Sequence, residues 1–205
     1  MSIPSPRSTG LAEPLAGLAL AAAAGLVVGY LTAYAQGWLG DSTNSLANSA
    51  GPWSLAAFLV ARTQRRLPWA LAAAVLTLVT CELGYVLATE VRGGSSAQST
   101  VIFWLTAAVL AGPPLGLAAH WSTRRGWQRG AGWAALGGVL AGEGWYGWAT
   151  VADTTDWRYW AVELAIGVVI VGIAAARAAR ALDAAIAVGV GAAAAVVVFV
   201  TARLA

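Results

Sequence analysis

The sequence has few charged residues, one cysteine and one histidine, and each shortage argues against a class of protein. Charged residues make up 10% of the 205 residues, whereas a soluble domain has about 25%. So few charges cannot cover a water-facing surface, which argues against a soluble enzyme, a disordered chain and a nucleic-acid-binding protein. Cys81 alone cannot form a disulfide framework or a cysteine-ligated zinc site, and His120 alone cannot form a multi-histidine metal centre. We therefore expect neither a metal nor a cofactor.

Apolar residues dominate the chain instead. They make up 59% of it, and the mean hydropathy is +0.70. Seven apolar stretches, each near the roughly 20 residues that cross a bilayer, occupy residues 15–35, 43–61, 68–89, 101–121, 131–151, 159–177 and 182–203. The sequence predicts an all-α polytopic transmembrane helical bundle of about seven spans, with six as the alternative. Residues 1–14 are predicted to form a cytoplasmic tail, and residues 15–205 a single domain.

The arginines predict the orientation of this bundle. If the N-terminus is cytoplasmic, nine arginines lie on the inner side and three on the outer side, as the positive-inside rule requires. Every basic residue is arginine, and alanine and glycine are abundant, which is typical of a GC-rich bacterial genome. We therefore expect a multi-pass protein of the bacterial plasma membrane.

The first span has two interpretations. Arg7, an apolar run and Ala33-Tyr34-Ala35 are arranged as in a cleaved secretory signal, but the run is longer than a signal usually has, so a membrane span is favoured. Small residues recur every four positions in it, at Gly17, Ala21, Gly25 and Gly29. Such a ridge lets a second helix approach closely, and that helix belongs either to this chain or to another subunit.

The second span is predicted to be broken or re-entrant. Its apolar part, from Pro52 to Arg62, contains eleven residues, or about 16 Å of helix, which is too short for a hydrocarbon core of about 30 Å. The preceding residues 41–49 are polar, and Gly51-Pro52 favours a break. If residues 41–49 are helical, five polar residues form one stripe: Asp41, Asn44, Ser45, Asn48 and Ser49. Such a segment lines a wet cavity or is an ordinary outer loop.

Three glutamates lie in the outer halves of apolar spans, each with an aromatic residue three positions away. The pairs are Glu82 with Tyr85, Glu143 with Tyr146, and Glu163 with Trp160. A carboxyl group at membrane depth is costly and indicates a functional site, although a single buried glutamate can also be structural. The predicted site combines these residues with nearby aromatic and polar ones: Glu82, Glu143, Glu163, Tyr85, Tyr146, Trp160, Trp145, Trp148, Trp53, Asn44, Asn48 and Asp41.

Such a cavity suits an organic cation or a flat nitrogen heterocycle, with Glu143 as the first choice of anchor. Carboxylates supply negative charge, and aromatic faces attract cations. Coupling to protons is a compatible alternative use of the carboxyl groups. Tryptophan and tyrosine also concentrate at membrane interfaces regardless of function, so the tryptophan-rich outer side is not by itself a site. No catalytic motif is present, and we do not expect an enzyme.

The overall pattern resembles the substrate-binding S components of energy-coupling-factor vitamin transporters. The residues that carry the resemblance are the small-residue ridge from Gly17 to Gly29, the segment from Trp38 to Trp53, and the stretch from Glu143 to Trp148. It implies a pocket on the outer side and a partner complex that supplies energy. That family has six helices with both ends inside, so a seventh span here would be an addition.

Two functions from different classes follow from these features. The first is an integral membrane solute-binding protein or small transporter that takes a small-molecule ligand from the outer side. The second is a non-catalytic accessory or assembly subunit that docks a larger membrane complex, or a second copy of itself, through small-residue helix faces. Clustered carboxyl groups favour the first, because an accessory bundle does not need them.

Overall fold

A computed structural model of the protein describes residues 12–40 and 42–204, and these are helical apart from short connections. The helices are α1 Ala12–Trp38, a 3-10 helix Asn44–Asn48, α2 Gly51–Ala61, α3 Leu67–Val91, α4 Gln98–Ser122, α5 Trp127–Tyr146, a π-helical turn Gly147–Val151, α6 Ala152–Thr155, α7 Trp157–Ala176 and α8 Ala181–Leu204. The predicted all-α membrane bundle is thereby confirmed.

Each of the seven predicted spans contains an α-helix, and the seventh, α8, is among the most apolar. Within the described residues, five helices are long and apolar enough to cross a membrane, namely α1, α3, α4, α7 and α8. The two others are α2, which has only eleven residues, and α5, which is rich in glycine and tryptophan. The tail predicted for residues 1–14 falls largely outside the described residues, but 12–14 already belong to α1.

The short helix α2 packs against several longer helices of the bundle. It contacts α1, α3, α4 and α5, and its Ala57, Phe58 and Ala61 are completely buried. Helices α1 and α4 pack on α3, while α7 and α8 pack on α5. A helix too short to cross a bilayer thus packs against four longer ones, while one side of it stays exposed, and such packing against protein is the condition under which broken spans are tolerated. The prediction of a broken second span is confirmed at Ser49, where the backbone is extended (φ −110°, ψ 140°).

The small-residue ridge of α1 packs inside the chain. Ala21, Gly25 and Gly29 are buried, and a Cβ atom added at Gly29 would overlap the backbone carbonyl of Cys81 on α3. Backbone-to-backbone approach of this kind is how helices associate without an aqueous hydrophobic force. Of the two partners considered for the ridge, the structure therefore supports the one within the chain.

The two ends of the bundle differ in chemistry. At one end, called here the break end, the 3-10 helix Asn44–Asn48 meets α1, α7 and the start of α2. The opposite end, called here the arginine end, carries the arginines of the α2–α3, α4–α5 and α7–α8 connections. At that end the Arg62 side chain donates to the Ser122 hydroxyl over 2.8 Å and lies 4.8 Å from the ring centre of Trp133.

Candidate functional site at the break end

The break in the second span leaves backbone N–H groups at the start of α2 without partners in their own helix. Two of these N–H groups donate hydrogen bonds to side-chain oxygens instead. The Ala50 N–H donates to Oε1 of Glu143 on α5 over 2.7 Å, and the Gly51 N–H donates to the Ser49 hydroxyl over 3.1 Å. Glu143 therefore caps α2 from a neighbouring helix, which is also the electrostatically favoured position for a carboxylate.

Glu143 and Glu163 meet on either side of Gly51. Oε1 of Glu163 and Oε2 of Glu143 each lie no more than 3.2 Å from the position that a Cβ atom at Gly51 would occupy. The two oxygens therefore lie close together, around the space that a Cβ atom at this position would fill, and only a glycine leaves room for both. The Ser49 hydroxyl donates to Oε1 of Glu163 over 3.2 Å. We call Glu143 and Glu163 the carboxyl pair.

The carboxyl pair has unused acceptor atoms. Glu163 is 5% exposed, and Oε2 of both glutamates is buried with no hydrogen-bond partner among the described residues. Ion pairs in the described part of the chain join Arg65 to Glu13 and Arg158 to Asp156, so neither glutamate faces a positive side chain. An unpartnered buried polar atom is rare and calls for an explanation such as a bound ion.

Glu82 lies in a separate pocket of about 160 Å³ on the other side of the break. We call this the Glu82 pocket. Its walls include Trp53, Trp104 and Tyr85, and the ring centres of Tyr85 and Trp104 each lie 6.3 Å from that of Trp53. Glu82 is 2% exposed, and among the described residues it has neither a positive partner nor a hydrogen-bond donor. A lone acidic residue and three aromatic residues thus line the same pocket.

A chain of amide and hydroxyl groups fixes the rim of this pocket. The Tyr85 hydroxyl donates to Oε1 of Gln36 over 2.9 Å, and Nε2 of Gln36 donates to Oδ1 of Asn48 over 2.8 Å. The indole N–H of Trp53 donates to the Thr32 hydroxyl over 3.1 Å. These bonds connect α1, the 3-10 helix, α2 and α3, so the side chains of Tyr85 and Trp53 are held in fixed orientations.

Ser49 and Ala50 belong to both sites. They line the Glu82 pocket, and on their other side they bond to Glu163 and Glu143. The structure thus places Glu82 in a pocket and the carboxyl pair outside the lining of that pocket, with Ser49 and Ala50 in contact with both. Spacing along separate helices could not reveal this arrangement, because the rotation of each helix about its axis is set by packing against its neighbours.

The remaining predicted site residues are dispersed. Trp145 and Trp148 are about half exposed, and the Trp145 ring stacks on Phe199 of α8 with ring centres 4.2 Å apart. Trp160 is buried beside Gly147 and donates its indole N–H to the Thr155 hydroxyl over 2.9 Å. Neither these residues nor Tyr146 lines the Glu82 pocket.

The polar stripe predicted for residues 41–49 is not a single face. Ser45 and Ser49 are buried, whereas Asn48 is exposed, and the Asn44 amide donates to the Gln36 carbonyl on α1. The segment forms a 3-10 helix with three residues per turn, so the face expected for an α-helix is split. Asp41 lies outside the described residues.

Several residues at these sites were not predicted from the sequence, notably Gln36, Thr32, Trp104 and Tyr159. The first three line the Glu82 pocket, and Tyr159 lies beside Ser49 and Glu163. Gln36 offered a signal, because it is a polar amide at the end of an apolar span. Trp104 offered none that distinguishes it from an interfacial tryptophan.

The fold and these sites define the protein as a multi-pass helical membrane protein with buried acidic groups at one end. The chain belongs to DUF6518, a family of unknown function, whose sequence model matches residues 8–205. No curated protein and no solved structure matches the chain. The resemblance to S components of vitamin transporters stays a prediction.

Proposed function

We propose that the protein is a solute-binding membrane protein or small transporter whose ligand is a small organic cation held in the Glu82 pocket. The observation that carries the proposal is Glu82, which is buried without a positive partner in the described structure and lines the same pocket as Trp53, Trp104 and Tyr85. A cation placed there gains the carboxylate and the aromatic faces together, and both interactions strengthen when water is excluded.

The pocket limits the size of this cation. Its volume is about 160 Å³, close to that of an engineered cavity of about 150 Å³ that binds benzene. Drug-sized ligands occupy pockets of about 300–1,000 Å³. The proposed ligand is therefore a compact amine, a quaternary ammonium ion or a single-ring nitrogen heterocycle. With the positive-inside orientation, it arrives from the outer side of a bacterial plasma membrane.

The carboxyl pair supports transport over binding alone. Transporters place coupling ions where unwound segments interrupt a helix, and Glu143 and Glu163 lie at such an interruption with two unpartnered oxygens. Ser49 and Ala50 separate this pair from the Glu82 pocket. A change at one site is thereby transmitted through two residues to the other.

The decisive experiment measures cation binding to the purified full chain and to Glu82→Gln. The probes are tetramethylammonium, choline and imidazole, and the measurement is ligand-dependent thermal stabilisation in a mild detergent. Unit charges about 4 Å apart attract by ~4 kcal/mol at an effective dielectric constant of 20, and desolvation of the carboxylate offsets part of this attraction, so Glu82→Gln should weaken binding by roughly tenfold to a hundredfold. The matched control is Glu90→Gln, since Glu90 is on the same helix but exposed. Equal binding by wild type and Glu82→Gln would contradict the proposal.

The alternative function, an accessory subunit, would use an exposed face of small residues on α8. Ala185, Gly189 and Ala193 are exposed on α8, and a Cβ atom at Gly189 would meet no other atom within 4 Å. Gly189→Leu should therefore fold normally, and loss of a co-purifying membrane partner in that variant would favour the alternative. Gly25 is unsuitable for this test because it is buried against α3.

A further inference from the structure

A second and larger cavity lies at the arginine end, far from the break. It is a groove of about 480 Å³ between the start of α5, the end of α7 and the start of α8. We call it the α5–α7 groove. The groove has no part in the proposed function, and it was not predicted from the sequence.

Positive charge is concentrated along this groove. Arg125, Arg129 and Arg177 line it and are exposed, and Asp183 is the one acidic residue among the described lining residues. The ion pairs of the described chain involve other arginines, at positions 65 and 158. The groove therefore presents three guanidinium groups, which bind phosphate oxygens in a planar, bidentate geometry.

The walls of the groove are apolar. Trp133, Ile170 and Ile173 form part of the lining, and Ile173 is 45% exposed. Further along α7, Val169 is 56% exposed, so an apolar surface continues from the groove towards the hydrocarbon region of the membrane. A ligand that fits this surface has a negatively charged head and an apolar tail on the same molecule.

We propose that the α5–α7 groove binds one anionic phospholipid, with its phosphate at Arg125, Arg129 and Arg177 and an acyl chain along α7. Basic pockets between membrane helices at the cytoplasmic surface bind acidic head groups. A free phosphate ion would use the arginines but not the apolar walls. A zwitterionic lipid would use the walls but carries a positive group that the arginines repel.

The test is a lipid titration of the full chain in neutral detergent, followed by native mass spectrometry. Dioleoyl phosphatidylglycerol is compared with dioleoyl phosphatidylcholine for wild type and for the double variant Arg129→Gln/Arg177→Gln. Each arginine near a membrane surface contributes about 1 kcal/mol towards an anionic lipid. Loss of two should weaken phosphatidylglycerol binding by roughly 30-fold and leave phosphatidylcholine binding unchanged.

The matched control is Arg65→Gln/Arg66→Gln, which removes the same charge at the same end but outside the groove. All four arginines are exposed, so both double variants should fold, as checked by circular dichroism. Equal affinity for the two lipids, an equal loss in the control, or displacement of phosphatidylglycerol by millimolar inorganic phosphate would each overturn the proposal. Because the groove is remote from Glu82, failure here leaves the cation-binding experiment unaffected.

Discussion

The hydrogen bond from Ala50 to Glu143 gives a direct test of how the break is held. In Glu143→Ala, the Ala50 N–H loses its 2.7 Å acceptor, and no acceptor replaces it at the start of α2. Loss of a helix N-cap costs about 0.5–2 kcal/mol, and a hydrogen bond to a charged group is worth about 1.5–3 kcal/mol. We therefore expect Glu143→Ala to lower the free energy of unfolding by about 2 kcal/mol.

Glu143→Gln should behave differently. The glutamine keeps an oxygen that accepts from the Ala50 N–H, and its amide group replaces Oε2, which has no partner. That amide N–H₂ would lie near the Glu163 carboxyl group across Gly51 and would provide it with a donor. We expect Glu143→Gln to be at least as stable as wild type, although it removes the same charge as Glu143→Ala.

The assay is thermal unfolding in detergent, followed by the fluorescence of the eleven tryptophans. For a chain of this length, 2 kcal/mol corresponds to a fall in Tm of about 4–8 °C. Glu90→Ala is the control, because it removes an exposed glutamate from α3. Equal melting of Glu143→Ala and wild type, or equal destabilisation by alanine and glutamine, would refute the capping role.

Two further predictions concern glycines at close contacts. Gly29→Ala should lower the free energy of unfolding by about 1–3 kcal/mol, and therefore the Tm, because its Cβ atom would overlap the backbone carbonyl of Cys81. Gly51→Ala should also be destabilising, since its Cβ atom would overlap Oε1 of Glu163 and force the carboxyl pair apart. In both thermal melts the control is Gly172→Ala, which enters open space on α7; a control that melts as early as either variant would show that helical glycines are sensitive wherever they lie.

The sequence was sufficient to predict the helices, because hydrophobic length decides where a chain crosses a membrane. The break before Gly51-Pro52 was also predictable, since eleven apolar residues cannot span a bilayer and proline starts a helix well. What the sequence left open was the rotation of each helix. Glu82 and Glu143 are both followed by tyrosine three residues later, yet Glu82 lines a pocket whereas Glu143 caps the start of α2.

The separation of Glu82 from Glu143 depends on the short polar segment before α2 rather than on the long helices. Whether Asn48 and Ser49 share a face depends on whether the chain winds as an α-helix or as a 3-10 helix. That choice is decided by tertiary hydrogen bonds, such as the one from Gln36 to Asn48 and the one from Ser45 to Thr155. These partners are 12 and 110 residues away along the chain, which local pattern analysis does not detect.

The break and the carboxyl pair depend on each other. In a continuous α-helix the Ala50 N–H would bond to the Leu46 carbonyl, and Glu143 would be a buried acceptor without a donor at this site. The extended backbone at Ser49 releases that N–H, and Glu143 takes it up. Ser49 and Ala50 also form a wall of the Glu82 pocket, so under the proposed function a solute bound there contacts the two residues whose donors hold both glutamates. In that proposal, the break at Ser49 and Ala50 is the physical route from a solute at Glu82 to the Oε2 atoms of Glu143 and Glu163, which have no hydrogen-bond partner among the described residues.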